Sequence, residues 1–205
     1  MTTSHNTSPL PTSPASERNK VPILAELLQR LPATGQALEV AAGTGQHAAH
    51  FAAALPGWQW LPTEPETSMH AAIAARCAGL PNVAAPVVLD VRDADWRVPS
   101  DWLDLVYVAN MVHISPWEAT EGLMRGAGQV LRPGGRLMVY GPFVVEGEAL
   151  APSNAAFDAD LRRRNAAWGL RALGAVAACA DAAGLSLAER VAMPANNLLL
   201  VFTRR

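Results

Sequence analysis

The stretch Leu38-Glu39-Val40-Ala41-Ala42-Gly43-Thr44-Gly45-Gln46-His47 constrains this chain more than any other. It reads as a buried strand carrying an acid, then a turn of small residues, then the start of a helix. Glycine has no Cβ, so such a turn lets a nucleotide-like ligand approach the backbone closely. A strand, a tight turn and a helix in that order also define the opening unit of a parallel α/β sheet.

The rest of the chain continues the alternation. Strands are expected at Ala37–Ala41, Trp58–Pro62, Ala85–Leu89, Leu103–Ala109 and Arg136–Tyr140, with helices at His47–Ala54, Ser68–Ala78 and Trp117–Leu131 between them. Strict alternation implies a parallel sheet covered by helices on both faces, with ligands beyond the carboxyl ends of the strands. After a polar segment the pattern gives a helix over Leu170–Ala183, stopped by Gly184, then strands at Leu185–Val191 and Leu198–Thr203. Their joining hairpin makes the last strand antiparallel. The expected fold class is therefore α/β, a Rossmann-like three-layer sandwich with a mostly parallel seven-stranded sheet and an antiparallel C-terminal strand. Before it, Ile23, Leu24, Leu27, Leu28 and Leu31 mark an amphipathic helix, with Pro22 in its first turn. Residues 1–15, rich in Ser, Thr and Pro, read as a disordered tail, and 16–205 as one domain.

Charge and composition exclude several function classes. With 16 basic and 18 acidic residues the net charge is −2, so no global field favours nucleic acid or an anionic membrane. The run Arg162-Arg163-Arg164 reads as a solvated helix face. Lys20 is the sole lysine and no GxxxxGK[ST] exists, which excludes a P-loop. Cys77 and Cys179 lack CxxC or His neighbours and read as reduced thiols of a cytoplasmic protein. No metal is expected: His47 and His50 share a helix but no acid or cysteine cluster accompanies them. Oligomeric state is not legible.

The chemistry-bearing residues gather at strand ends. Glu39 stands four residues before the first glycine, ill suited to a phosphate but well suited to a ligand with a cationic amino-acid tail. S-adenosylmethionine (SAM) is such a ligand. Gly43-x-Gly45-x-x-Ala48 also meets the loose dinucleotide pattern, with Glu64 following. Against NAD stand Glu39, the missing Tyr-x-x-x-Lys pair and the C-terminal hairpin. Glu64, ending the second strand, can accept both ribose hydroxyls. Asp90 can take an adenine amino group while Val91 packs the ring. Asn110 and His113 stand at the edge of the fourth strand, where a reactive methyl should point. His113 reads as a general base, as a substrate-orienting group or as a helix cap. Asp158 is the second candidate base. Asn154 shares a helix face with Asp158 and also suits an N-cap, and Asn196-Asn197 also reads as a turn. Trp117 or Trp168 can wall an acceptor pocket.

Together these residues resemble a class I SAM-dependent methyltransferase. More narrowly, the chain is similar to the methyltransferase-like protein 26 family, a domain of unknown function, DUF938. The resemblance rests on Glu17-Arg18-Asn19-Lys20, the Glu39–His47 turn, Asn110 to Trp117, Tyr140-Gly141-Pro142-Phe143, Ser153 to Asp158, Trp168 to Arg171 and Met193 to Asn197. It implies that Glu39, Ala41, Gly43, Thr44 and Gly45 shape the pocket for the methionine part, that Glu64 holds the ribose, and that Asp90 and Val91 meet the adenine, with Asn110 beside them. Ala41 stands where the superfamily usually has glycine, and the turn survives if φ stays negative there. The narrower family's polar residues map to Arg18, Asn19, His113, Tyr140, Asn154, Asp158 and Asn196. These would converge near the methyl group if the N-terminal segment folds over the sheet edge, with His113, Asp158 and Tyr140 as the catalytic candidates.

The expected function is methyl transfer from SAM, leaving S-adenosylhomocysteine (SAH), to a small-molecule acceptor through O, N or S. A non-catalytic SAM- or SAH-binding module and an NAD-dependent reductase are the alternatives.

Overall fold

The structure, a computed structural model, describes residues 9–98 and 103–205. Most of the expected tail and Trp102 lie outside the described residues. Elements run α1 (Pro14–Arg30), β1 (Gly35–Val40), α2 (Gln46–Ala54), β2 (Trp58–Pro62), α3 (His70–Arg76), β3 (Leu103–Ala109), α4 (Trp117–Val130), β4 (Leu131–Gly141), β5 (Phe143–Val144), α5 (Pro152–Arg164), β6 (Arg171–Ala172), α6 (Leu173–Ala182), β7 (Leu185–Met193) and β8 (Asn197–Arg204).

The main sheet has the order β2-β1-β3-β4-β8-β7. β2, β1, β3 and β4 pair in parallel, and β8 alone runs against its neighbours. Alternate residues of each strand feed two apolar layers, as a sheet covered on both faces requires. Leu105, Tyr107, Met138 and Val201 meet Ile23 and Leu27 of α1 and Phe51 of α2. Val106, Val108, Leu137 and Phe202 meet Leu123 and Ala127 of α4 and Val176 of α6. The result is the expected three-layer α/β sandwich. β1 crosses to β2 on one side and the chain returns to β3 on the other, so the switch point of the sheet lies between β1 and β3.

Four local expectations need correction. Among the described residues the sheet has six strands, because around the expected strand Ala85–Leu89 there are only isolated parallel bridges, Trp60 to Val83 and Thr63 to Val87. Pro86 has no N–H to donate to a ladder. The helix expected from Leu170 begins at Leu173, since Arg171–Ala172 pairs with β5. The tail ends earlier than residue 15: Ser13 caps α1 by accepting from Ser16 N–H, and Pro14 occupies its first turn. As a consequence Pro22 falls inside α1 rather than in its first turn. It has no N–H, so the Arg18 carbonyl lacks its usual helical partner.

The arginine run is a solvated face, each member paired within α5: Arg162 to Asp158, Arg163 and Arg164 to Asp160. Both cysteines are free. Among the described residues no helix is long and apolar enough to cross a membrane, and no group of three or more metal-ligating side chains occurs.

Candidate active site

A cleft of about 990 Å³ opens beyond the carboxyl ends of β1, β3 and β4, at the switch point of the sheet. Its floor is the turn after β1 and the end of β3, and its outer wall is the first half of α1. Of the residues expected at a site, Arg18, Asn19, Ala41, Gly43, Thr44, Glu64, Asn110, His113, Tyr140 and Asn154 line it.

The turn is held open by backbone geometry. Gly43 has φ +56° and a Cβ there would meet nothing within 4 Å, so its bare face borders free space. Ala41 has φ +53°, not the negative φ expected for an alanine in this position. The left-handed conformation costs a non-glycine residue about 1–2 kcal/mol, and the surrounding turn must supply it. Asn110 (φ +59°) and Ala195 (φ +58°) adopt the same region on the cleft lining. Ala41→Gly should therefore raise stability by about 0.5–1 kcal/mol even after its unfolded-state entropy is counted. Thermal denaturation of both proteins checks this, with a rise in Tm expected.

Glu64 sits across the turn. One carboxylate oxygen accepts the Gly43 N–H at 2.8 Å and the other the Glu66 N–H at 3.1 Å. Each oxygen keeps a second lone pair for a ligand hydroxyl. Glu39 lies beneath the turn, 2% exposed, and does not line the cleft. Its carboxylate accepts the Trp60 indole N–H at 2.7 Å. Burial pushes its pKa from 4.5 up to about 8, the Trp60 bond opposes this, and repulsion from Glu64 adds to it.

α1 reaches the cleft through a buried polar chain. The Asn19 carbonyl oxygen lies 2.6 Å from Nε2 of His47, whose Nδ1 lies 3.4 Å from the Tyr107 hydroxyl. All three side chains are buried. Burial pushes the His47 pKa down to about 4, with His50 and Lys20 adding to the effect and Glu17 opposing it. Burial raises the pKa of the Tyr140 hydroxyl, and the polar side chains of Asn19 and Asn197 beside it oppose the rise. Gln46 ties the first turn of α1 down, accepting the Ser13 N–H at 2.5 Å and donating to Glu17. Sequence reading missed His47, Gln46 and Tyr107 in these roles. The available signal was the polar pair at the start of an otherwise apolar helix.

His113 is 3% exposed, lines the cleft and packs edge-on against Phe157 with centroids 5.5 Å apart. Its Nδ1 is buried without a hydrogen-bond partner. Burial, with the Arg171 charge assisting, pushes its pKa from 6.5 down to about 4, so the ring is neutral at neutral pH. Arg171 fixes the loop that carries it, donating to the carbonyls of Val112 at 3.0 Å, Ser115 at 2.5 Å and Ala167 at 2.9 Å.

Several expected residues are placed elsewhere. Asp90 pairs with Arg92 at 2.5 Å, and Val91 is buried in the apolar layer under α4; neither lines the cleft. Gly45 (φ +74°) begins α2 and lies against the Ile73 backbone. Asp158 is occupied by Arg162 and by the Leu170 N–H at 2.7 Å. Trp168 lies under the Arg164 guanidinium and Trp117 donates to Glu121, both away from the lining. Asn196 lines a smaller neighbouring hollow, and its carbonyl accepts from Asn154 at 2.9 Å. Asn154 is therefore a tie between α5 and the β7–β8 turn, while Ala151 holds the N-cap position.

Solved structures share this fold, which is that of the class I methyltransferases. CalO1, a methyltransferase in calicheamicin biosynthesis solved in an SAH-bound form, matches with a TM-score of 0.73 at 20% identity, over 93% of this chain and 54% of that one. The mitomycin 7-O-methyltransferase MmcR matches with a TM-score of 0.79 at 17% identity, over 93% and 54%. An O-methyltransferase family protein from Burkholderia thailandensis gives 0.73 at 19%, over 93% and 58%. This chain spans little more than half the length of these proteins. Residues 10–204 match the family model described as protein of unknown function, DUF938, and the chain belongs to that family.

Proposed function

We propose that this protein transfers a methyl group from SAM to a small-molecule acceptor. The observation that carries this is the pairing of Glu64 with the Gly43 amide at the mouth of a roomy cleft on the switch point. A diol-binding carboxylate is thus fixed against a turn with no side chain in the way. The cleft's volume suits a nucleoside ligand with a second small molecule beside it. The acid Glu39, buried beneath the turn, would favour an ammonium group above it by ionising when that group binds.

When bound, SAM would supply an electrophilic methyl on a sulfonium centre. The chain's own residues orient and exclude water. Gly43 and Thr44 would border the amino-acid portion, Glu64 would accept the ribose hydroxyls, and Asn110 would lie beside them. The adenine contact first expected of Asp90 and Val91 is left out, since Arg92 holds that acid. His113, Tyr140, Arg18 and Asn19 would face the acceptor. Asp158 drops out as a base because its oxygens are committed to Arg162 and Leu170. The setting we propose is cytoplasmic.

Calorimetric titration with SAM, SAH and NAD tests the cofactor directly. Micromolar-class binding of both adenosyl ligands without NAD binding is expected. NAD binding alone would favour the NAD-dependent reductase instead. SAH binding with no methyl transfer across a broad acceptor panel would leave a binding module.

A further inference from the structure

The donors and acceptors around the acceptor half of the cleft are unevenly matched. Asn19 commits its side-chain oxygen to His47, and the buried chain has one consistent direction: Tyr107 O–H to His47 Nδ1 and His47 Nε2–H to Asn19. Tyr140 lines the cleft, where its hydroxyl can donate to a ligand.

His113 repeats the pattern independently. An orphaned buried N–H is costlier than an orphaned lone pair, so a partnerless Nδ1 leaves the proton on Nε2. That nitrogen makes no hydrogen bond among the described residues, and the ring lines the cleft. Arg18 is exposed, lines the same cleft and has no ion-pair partner among the described residues. The one carboxylate on the lining is Glu64, already accepting two backbone amides. The same lining carries the apolar side chains of Met111, Ile114, Pro142 and Phe157, the last packed against the His113 ring.

We propose that the acceptor is a small carboxylate with an apolar body, its anionic group held by Arg18, the Tyr140 hydroxyl and His113 Nε2–H. This rests on the methyltransferase reading above. It makes His113 a hydrogen-bond donor rather than a base. The same donors suit one other carboxylate, the one on the methionine tail of SAM itself, and the test separates the two.

The probe is benzoate, with neutral benzamide as its isostere, titrated by calorimetry and ligand-observed NMR into the full chain saturated with SAH. Benzoate should bind at least about tenfold more tightly than benzamide. Arg18→Ala and Tyr140→Phe should each weaken benzoate about tenfold, the loss of one charge-assisted bond, while SAH affinity moves less than about twofold. Equal binding of the two probes, no benzoate binding, or indifference to Arg18→Ala would overturn the proposal. So would an SAH affinity that falls tenfold with Arg18→Ala, which would assign Arg18 to the methionine carboxylate. Failure of the wild-type chain to bind SAH sinks the methyltransferase reading itself, an outcome recorded before any benzoate is added.

Discussion

Between pH 6.5 and pH 8 the ligand-free protein should lose roughly 1 kcal/mol of stability, because a loss of about 1.7 kcal/mol through Glu39 outweighs the remaining gain from His47 and His113. Its carboxyl is protonated up to about pH 8 in the folded state because burial disfavours the anion, whereas the unfolded chain ionises near 4.5. The folded state therefore holds more protons across that interval, and stability falls as pH rises. Below pH 6.5 the slope is masked. His47 and His113, both pushed down to about 4, are neutral in the fold and protonated in the unfolded chain. Their contribution rises with pH over that range and opposes the loss from Glu39. The measurable signature is thus a fall confined to the window above 6.5, seen as a Tm lower by roughly 2–4 °C at pH 8. Glu39→Gln should abolish the fall, since an amide oxygen can still accept from Trp60. A stability profile for the variant that kept the same slope would sink the assignment. If an ammonium group binds near Glu39, saturating SAH should flatten the wild-type slope as well.

Glu64→Ala should weaken SAH binding about 100-fold. Two charge-assisted hydrogen bonds to the ribose are lost, together worth roughly 3 kcal/mol. The variant also leaves the Gly43 and Glu66 amides without their acceptor, so the turn itself loosens. Glu64→Gln separates the two effects. It keeps one carbonyl acceptor and the side-chain shape, and should cost nearer tenfold. Calorimetry on both variants, with thermal denaturation to show that they stay folded, is sufficient. An SAH affinity unchanged by Glu64→Ala would mean that the ligand does not lie against this turn.

The contrast between the strands and the site shows what a single sequence carries. Leu103–Ala109 and Trp58–Pro62 were legible to the residue because apolar runs bounded by turn residues are local signals. The segment Ala85–Leu89 was over-read: its apolar character is real, but Pro86 breaks the donor pattern. The early start of α1 was readable from Ser13-Pro14, a cap followed by a first-turn proline, and composition hid it. Glu64, Gly43 and Asn110 reach the cleft lining because motif position places them at strand ends. The chain from Tyr107 through His47 to Asn19 was not legible, because its members come from three elements and only the fold brings them together. Asp90 and Asp158 were credible acids by position, but nearby arginines, Arg92 and Arg162, had already taken them.

Pro22 has a consequence for how fast ligands come and go. It divides α1 into a half anchored in the apolar layer by Ile23 and Leu27, and a half tied by polar contacts to Gln46 and His47. The weak point lies between them, where the Arg18 carbonyl lacks its usual helical partner. Swinging the outer half away would uncover the cleft without disturbing the sheet. It would also remove Asn19 from Tyr140, so an open molecule is unaligned as well as accessible. Residence time and alignment are then governed by one small set of polar contacts, and a mutation that loosens them trades fast exchange for a poorly prepared site.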